Sequence, residues 1–166
     1  MKRRYILQAA ALTVTAVSVS SYTIWRLRDM TTNQTNDFAV SKSDDEWQSV
    51  LTPDQFYVLR KHGTERAGAS PLDKQYGEGT YKCAGCGQTL FTSSTKFNSG
   101  TGWPSFYAPI EGAIATSVDK KLFMSRTEVH CSRCGGHLGH VFNDGPAPTG
   151  KRFCMNGVAL DFTAES

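Results

Sequence analysis

The hydrophobic and polar positions divide the chain into three parts. Residues 5–25 carry no charge and lie between basic residues, which is typical of a signal peptide or a membrane anchor. Arg3 and Arg4 before this run also resemble a twin-arginine export signal. A polar segment with little periodicity follows. We therefore expect a leader at 1–29, a flexible linker at 30–43 and a folded domain at 44–166, in an exported or membrane-tethered protein. A buried core helix is the alternative for the leader.

The domain begins with helical patterns. Residues 44–47 form a short amphipathic turn, and residues 53–62 predict a helix. Thr52 is a good N-cap and Gln55 completes a capping box with it. Gly63 supplies the left-handed residue that ends the helix.

From Gly63 onwards the apolar runs are short and are interrupted by Gly, Pro, Asn and Asp, which predicts strands. Such runs leave no room for crossover helices, so we expect antiparallel sheets and a mainly β fold. The predicted strands are 80–82, 89–91, 113–118, 121–128, 140–142 and 152–162.

The charge distribution argues against one class of partner. The net charge is +3, but five basic residues lie in the leader. The remaining domain is nearly neutral and lacks the basic surface that phosphate binding requires. We therefore expect no nucleic-acid partner.

Four of the five cysteines form two Cys-x-x-Cys pairs, each followed by glycine. Two such knuckles present four thiolates to one Zn²⁺, and a long segment between them means that the metal would join distant strands. A closed four-thiolate site has no open position, so we expect a structural zinc, one per chain. Two alternatives remain: a pair of redox-active dithiols, and His137 in place of one thiol. The predicted ligands are Cys83, Cys86, Cys131 and Cys134.

The fifth cysteine, Cys154, lies in a strand pattern that places Arg152 and Asn156 on its own face. A cation near a thiol lowers its pKa, and the thiolate is the reactive form. Asn156 offers a donor and an acceptor. The alternative is that Cys154 is a small buried hydrophobic residue.

Two histidines and a tryptophan are candidate partners of this thiol. A bulge at Gly139 would bring His137 and His140 into one pocket, where imidazoles can give a proton to a leaving oxygen. Trp103 lies in a glycine-rich loop that can present its indole to a ligand. The alternative for each histidine is a satisfied surface residue or a neighbour of the metal, and the alternative for Trp103 is core packing.

Taken together, these segments resemble the methionine-R-sulfoxide reductase family. The resemblance covers about residues 44–162. The matching segments are 51–55 (LTPDQ), 63–66 (GTER), 81–86 (YKCAGC), 95–106 (TKFNSGTGWPSF), 129–134 (VHCSRC), 136–146 (GHLGHVFNDGP) and 152–156 (RFCMN).

This resemblance implies a fold and an activity. The fold would be two antiparallel β-sheets with short N-terminal helices, joined by the zinc site. The enzyme would reduce the R epimer of methionine sulfoxide, free or in proteins, through a sulfenic acid on a cysteine. The implied catalytic residues are Cys154, His137, His140, Asn156, Arg152 and Asp144, and the implied substrate-binding residues are Trp103 and Phe106.

The chain departs from a common family pattern at Thr101, where many members carry a resolving cysteine. The resemblance then implies that thioredoxin, glutaredoxin or a small thiol reduces the sulfenic acid directly. We also expect a monomer. The competing functions are a zinc-knuckle binding module without catalysis and a dithiol oxidoreductase that uses one Cys-x-x-Cys pair.

Overall fold

Two short helices open the part of the chain that the computed structural model describes, which comprises residues 38–120 and 125–165. Helix α1 spans Asp44–Val50 and helix α2 spans Pro53–Lys61. Each begins with a capping box, in which the cap hydroxyl of Ser43 or Thr52 accepts a hydrogen bond from a backbone N–H of the first turn. The predicted helix and its cap at Thr52 are confirmed.

The end of α2 differs from the prediction in one residue. His62, rather than Gly63, adopts the left-handed conformation, with φ of 54°. A side chain at Gly63 would collide with the ring of Tyr57. Glycine is therefore needed there for space, and the turn at His62 directs its imidazole towards Glu128.

Within residues 38–120 and 125–165, nine strands form two sheets. One sheet has the order β2-β1-β9 and the other has the order β3-β4-β8-β7-β6-β5, and all paired neighbours are antiparallel. The predicted mainly β fold with two antiparallel sheets is confirmed. The strands are β1 (Gly79–Cys83), β2 (Thr89–Thr92), β3 (Lys96–Phe97), β4 (Ser105–Phe106), β5 (Ile114–Asp119), β6 (Arg126–Cys131), β7 (His137–Phe142), β8 (Arg152–Met155) and β9 (Leu160–Ala164).

The run 152–162 was predicted as one strand, and the structure divides it. β8 belongs to the large sheet and β9 to the small one, with a 3₁₀ turn at Gly157–Ala159 between them. The carboxylate of Glu65 accepts hydrogen bonds from the backbone N–H groups of Gly157 (2.5 Å) and Val158 (3.0 Å). This distant carboxylate stabilises the turn, so the chain leaves one sheet and enters the other.

Strand β7 is longer than predicted, and β6 lies later in the chain. β7 begins at His137 instead of 140, and β6 occupies 126–131 instead of 121–128, of which 121–124 lie outside the described residues. The register between them slips by one residue, so that Leu138 is the extra residue of a bulge in β7.

The core of the molecule is aromatic where the two sheets meet. The rings of Phe91 and Phe106 stack at 4.2 Å, and Tyr81 packs edge-on against Phe106 at 4.9 Å. All three side chains are completely buried. Met155, next to Cys154, is also completely buried. This packing fixes β4 and β8 side by side at the place where the candidate site forms.

The leader predicted at 1–29, like most of the linker predicted at 30–43, lies outside the described residues. Within the part that is described, no helix combines the length and the apolar character needed to cross a membrane. The expectation of an exported or membrane-tethered protein is corrected by this finding.

Candidate active site and metal centre

Two turns of the same construction hold the paired cysteines. Cys83 ends β1 and Cys131 ends β6, and the carbonyl oxygen of each accepts a hydrogen bond from the glycine four residues later, at 2.8 and 2.9 Å. These glycines, Gly87 and Gly135, have φ of 72° and 68°, a region that L-residues with side chains seldom adopt. The repeated geometry explains why each knuckle needs its glycine.

The four cysteine sulfurs of the knuckles lie within 4.8 Å of one another. Sγ of Cys83 is 3.7 Å from that of Cys134, and Sγ of Cys86 is 3.6 Å from that of Cys131. A tetrahedral zinc with Zn–S bonds of about 2.3 Å separates its sulfurs by about 3.8 Å. The four residues therefore fit a structural zinc, which joins β1 of the small sheet to β6 of the large one.

The geometry disfavours both alternatives for these cysteines. The short sulfur–sulfur distances run between the knuckles rather than within them, and all five cysteines are free thiols. His137 is not a member of the cluster, because its Nδ1 atom bonds to the carboxylate of Glu128 at 2.7 Å.

Cys154 lies in the middle of the large sheet. On β8 it faces Ser105 of β4 on one side and His140 of β7 on the other. The carbonyl oxygen of Cys154 approaches Gly139 so closely that any side chain at position 139 would collide with it. Gly139 was predicted to supply the bulge itself, but the extra residue is its neighbour Leu138, and glycine is needed at position 139 because the two strands pack so closely there.

A cavity of about 130 Å³ opens over the thiol, which is room for about four water molecules. It brings together four of the predicted site residues: Cys154, His140, Asn156 and Trp103. Its remaining lining residues are Thr64, Arg126, Gly139, Phe142 and Met155. The size suits a small group such as the end of one side chain.

The protonation of Cys154 reflects opposing influences. Burial raises the pKa of this thiol above its ordinary value. The nearby Arg152 guanidinium lowers it, as predicted, and so do the hydroxyls of Thr101 and Ser105. Burial is the largest of these influences, so the pKa of the thiol is raised overall.

Arg152 is held in place by Asp144. Its Nε donates to Oδ1 at 2.9 Å and its Nη2 donates to Oδ2 at 2.8 Å. The guanidinium also lies over the ring of Phe142, 4.5 Å from its centre. The hydrogen bonds with Asp144 raise the pKa of Arg152, so a fixed positive charge remains beside Cys154.

Each of the two predicted histidines has a carboxylate partner. Nδ1 of His137 is 2.7 Å from Oε1 of Glu128, and Nε2 of His140 is 2.9 Å from Oδ2 of Asp119. The two rings meet edge-to-face at 5.3 Å. Of the two, His140 lines the cavity over Cys154 and His137 does not, so a place for both imidazoles in the pocket of the thiol stays a prediction. A second cavity of about 370 Å³ is lined by both rings and adjoins the first. Burial lowers the pKa of His140.

Glu128 also binds a third histidine. Its Oε1 lies 2.9 Å from Nδ1 of His62, and its Oε2 accepts a hydrogen bond from Ser117 at 2.8 Å. Burial acts to raise the pKa of Glu128, but the hydrogen bonds from His137, His62 and Ser117 outweigh it and lower the pKa well below its ordinary value. A buried carboxylate with several donors stays ionised.

Asn156 and Trp103 are joined through Glu65. Oδ1 of Asn156 accepts from the backbone N–H of Glu65 at 2.9 Å, and the indole N–H of Trp103 donates to the carbonyl of Glu65 at 3.2 Å. The amide of Asn156 also donates to Leu138 at 3.0 Å. All these bonds position the walls of the cavity.

Phe106 lies apart from the cavity. Its side chain is completely buried against Phe91 and Tyr81, and it does not line either cavity beside Cys154. Phe106 therefore belongs to the aromatic core and supports the site through packing, without lining the cavity.

Sequence reasoning missed Asp119, Glu128, His62 and Glu65. Glu128 and Asp119 lie in strands, where a carboxylate usually faces solvent, yet Glu128 is only 9% exposed. The available signal for Glu128 was a charged residue at a strand position that the alternation of side chains along the strand directs inward. Nothing local indicates His62 or Glu65, because their partners are far away in the chain.

The chain was then compared with known proteins. The SelR domain model matches residues 51–164. A peptide methionine sulfoxide reductase MsrB of Methanosarcina barkeri is 58% identical over 76% of this chain and 90% of its own length. Proteins of the same name from Leptospira interrogans and Agrobacterium fabrum are 53% and 50% identical over 77% and 74% of this chain, and over 98% and 92% of their own lengths.

Proposed function

Because the chain belongs to the SelR family, we propose that it is an oxidoreductase that reduces the R epimer of methionine sulfoxide to methionine, in proteins or as the free amino acid. The observation that carries this proposal is the cavity that joins a thiol, an imidazole and an indole, those of Cys154, His140 and Trp103. These groups are the nucleophile, the proton donor and the apolar wall that such a reaction needs. The activity corresponds to repair of oxidised proteins.

The residues of the cavity support a specific division of roles. The thiolate of Cys154 attacks the sulfoxide sulfur, and a proton from His140 goes to the sulfoxide oxygen. The sulfur–sulfur bond formed by this attack and the S–O bond of the substrate then both break. The protonated oxygen is transferred to the Cys154 sulfur, which becomes a sulfenic acid, and methionine leaves with the electron pair of the sulfur–sulfur bond. Trp103 holds the methyl group of the substrate. Asn156 fixes the wall, and Arg152 with Asp144 favours the thiolate.

His137 acts beside this reaction. Its side chain is 2% exposed, Glu128 holds its Nδ1, and its Nε2 has no hydrogen-bond partner among the described residues. That nitrogen supports a role in orienting water or the departing oxygen. The role of Phe106 in this proposal is confined to supporting β4 beside β8.

An external thiol completes the cycle in this proposal. The position of a resolving cysteine is held by Thr101, whose hydroxyl oxygen lies 4.0 Å from the Cys154 sulfur. The other four thiols fit the zinc centre. Two equivalents of thiol from thioredoxin, glutaredoxin or a small thiol reduce the sulfenic acid, giving Cys154 thiol, one disulfide and water.

The organisation of the chain is also proposed. We place the catalytic domain at 44–166, after a linker at 30–43, and we expect it to act as a monomer without a nucleic-acid partner. Light scattering of the purified protein tests the oligomeric state.

A comparison of Cys154→Ser with the unchanged chain tests the reaction. With a thiol reductant and each epimer of a methionine sulfoxide peptide, we expect turnover of the R epimer alone and complete loss of it in the variant. Equal zinc content in both proteins is the control for folding. Turnover by the variant would refute Cys154 as the nucleophile.

Mass spectrometry after one turnover, without reductant, tests the fate of the oxygen. The expected product is Cys154 with one added oxygen, which dimedone traps as a sulfenic acid. An internal disulfide to Cys154 would refute direct reduction by an external thiol.

A further inference from the structure

Three hydroxyl groups surround the sulfur of Cys154 on the side opposite His140. We call Ser99, Thr101 and Ser105 the hydroxyl cradle. Oγ of Ser99 lies 2.8 Å from Oγ1 of Thr101 and 2.7 Å from Oγ of Ser105. Thr101 then reaches the Cys154 sulfur at 4.0 Å, and Ser105 faces Cys154 across the β4–β8 pair.

The cradle can reverse the direction of its hydrogen bonds. Oγ of Ser105 is 3.1 Å from the carbonyl oxygen of Trp103, which only accepts, so Ser105 donates there while Cys154 is a thiol. Because each hydroxyl carries a single proton, Ser99 must then donate to Ser105, and Thr101 must donate to Ser99. A lone pair of the Thr101 oxygen remains to accept the thiol proton of Cys154. When Cys154 is ionised, the hydroxyls rotate and Thr101 donates to the sulfur instead.

We propose that the hydroxyl cradle stabilises the anionic forms of Cys154, as thiolate before attack and as sulfenate after it, with Thr101 as the donor that touches the reacting sulfur. The inference rests on the proposed function, because it assigns a catalytic role to the hydroxyl group that stands where a second thiol would otherwise resolve the intermediate. Ser99 is a positioning residue that orients Thr101, whereas Ser105 both bonds to Ser99 and acts on the thiol through its own hydroxyl.

The surroundings of Cys154 make these donors important. The charged and titratable groups facing the sulfur are Arg152 on its own strand, His140 on β7 and Arg126 on β6. All three already have carboxylate partners, because Asp144 holds Arg152, and Asp119 bonds to both His140 and Arg126.

The carboxylate of Glu65, whose backbone holds Asn156 and Trp103 in the cavity wall, is bonded elsewhere. Oxygens of Glu65 accept hydrogen bonds from Gly157 and Val158. Burial raises the pKa of Cys154, and the hydroxyls of Thr101 and Ser105 are among the few groups that oppose it. Removing the donor at Thr101 therefore leaves burial less compensated.

The experiment measures alkylation of Cys154 by iodoacetamide as a function of pH in the full, zinc-loaded chain, with the modified peptide identified by mass spectrometry. Thr101→Val keeps the shape of the side chain and removes the hydroxyl. We expect its alkylation profile to move to higher pH, with alkylation at neutral pH about tenfold slower, equivalent to about one pKa unit. Thr101→Ser should restore the original profile.

Two further variants complete the design. Ser99→Ala should give a smaller shift in the same direction, because Ser99 orients Thr101 without touching the sulfur. Thr163→Val, on exposed β9 of the other sheet, should leave the profile unchanged. Unchanged zinc content shows that each variant is folded.

An unchanged profile in Thr101→Val, or a Thr101→Ser variant that behaves like Thr101→Val, would overturn the role of the cradle. Alkylation requires no turnover. The inference can therefore fail while the proposed reaction stands, and turnover by Cys154→Ser would refute the reaction whatever the alkylation profile shows.

Discussion

The two sulfur sites of this molecule are built in opposite ways. The zinc centre uses one short motif twice, with the same turn and the same backbone hydrogen bond in each copy. The cavity at Cys154 is lined by residues of three strands, β6, β7 and β8, and by Thr64, Trp103 and Asn156 from segments outside the strands. Local spacing specifies the first site. The pairing of distant strands specifies the second, and the first site helps to hold those strands together.

The zinc centre should carry the largest effect on stability. Cys131→Ala removes one thiolate, and we expect loss of bound zinc together with loss of the cooperative unfolding transition, because metal-binding free energy contributes directly to folding. Metal analysis and thermal denaturation followed by circular dichroism measure both quantities. In Cys154→Ala both should remain close to those of the unchanged chain. A stable, zinc-free Cys131→Ala protein would break the contrast between the two sites.

His140→Asn tests the catalytic side of the contrast. We expect kcat/KM for the R epimer to fall about 100-fold, since the loss of a positioned proton donor costs at least this much. Zinc content and melting temperature should change little, because the cluster contains no histidine. Activity close to that of the unchanged chain would remove His140 from the reaction.

Glu128→Gln connects the site to stability. The folded-state pKa of Glu128 is lowered, so its stabilising contribution is present above the unfolded-state pKa of about 4.3 and is lost as the pH falls below it. We expect the variant to lose about 2 kcal/mol of unfolding free energy at pH 7, because the substitution removes the buried charge to which several donors are bonded.

Urea denaturation at several pH values measures this loss. The difference between the two proteins should shrink as the pH approaches 3. The exposed Glu78→Gln is the matched control and should show no such difference. A difference between Glu128→Gln and the unchanged chain that stays constant from pH 7 to 3 would contradict the assignment.

Arg60→Met should give the smallest effect. Its guanidinium donates to the carbonyl oxygen of Cys134 at 2.9 Å and lies over Trp47 at 4.9 Å, so it supports one knuckle from α2. We expect a loss of about 1 kcal/mol in unfolding free energy and faster zinc release to a chelator. The neighbouring Lys61→Met removes an exposed ion pair with Asp44 and a contact with the ring of Phe56, and should be nearly neutral.

The same contrast explains what the sequence could predict. Both knuckles and the start of α2 at Thr52 depend on residues within five positions of each other, and both were predicted correctly. The division of 152–162 into two strands depends on Glu65, and the pairing of His137 depends on Glu128. These partners lie on separate segments, and only the strand register brings them together.

The resemblance of the motifs to a known family identified some of the site residues that only the strand register brings together. It identified Cys154, His140, Asn156 and Trp103, which the structure brings to one cavity. It gave no sign that Phe106 belongs to the aromatic core. In that case the physical reason is the strand pairing of β4, which turns Phe106 towards Phe91 and leaves Ser105 beside Cys154.

The unequal exposure of the sulfurs defines an order of oxidative damage. Cys154 faces a cavity, whereas three of the four clustered cysteines are buried. An excess of peroxide should first convert Cys154 irreversibly to a sulfinic acid, which ends activity but leaves the metal bound. Zinc release would mark a later stage, when the fold itself is lost. The ratio of lost activity to released zinc therefore indicates how far oxidative damage has progressed in a sample of the enzyme.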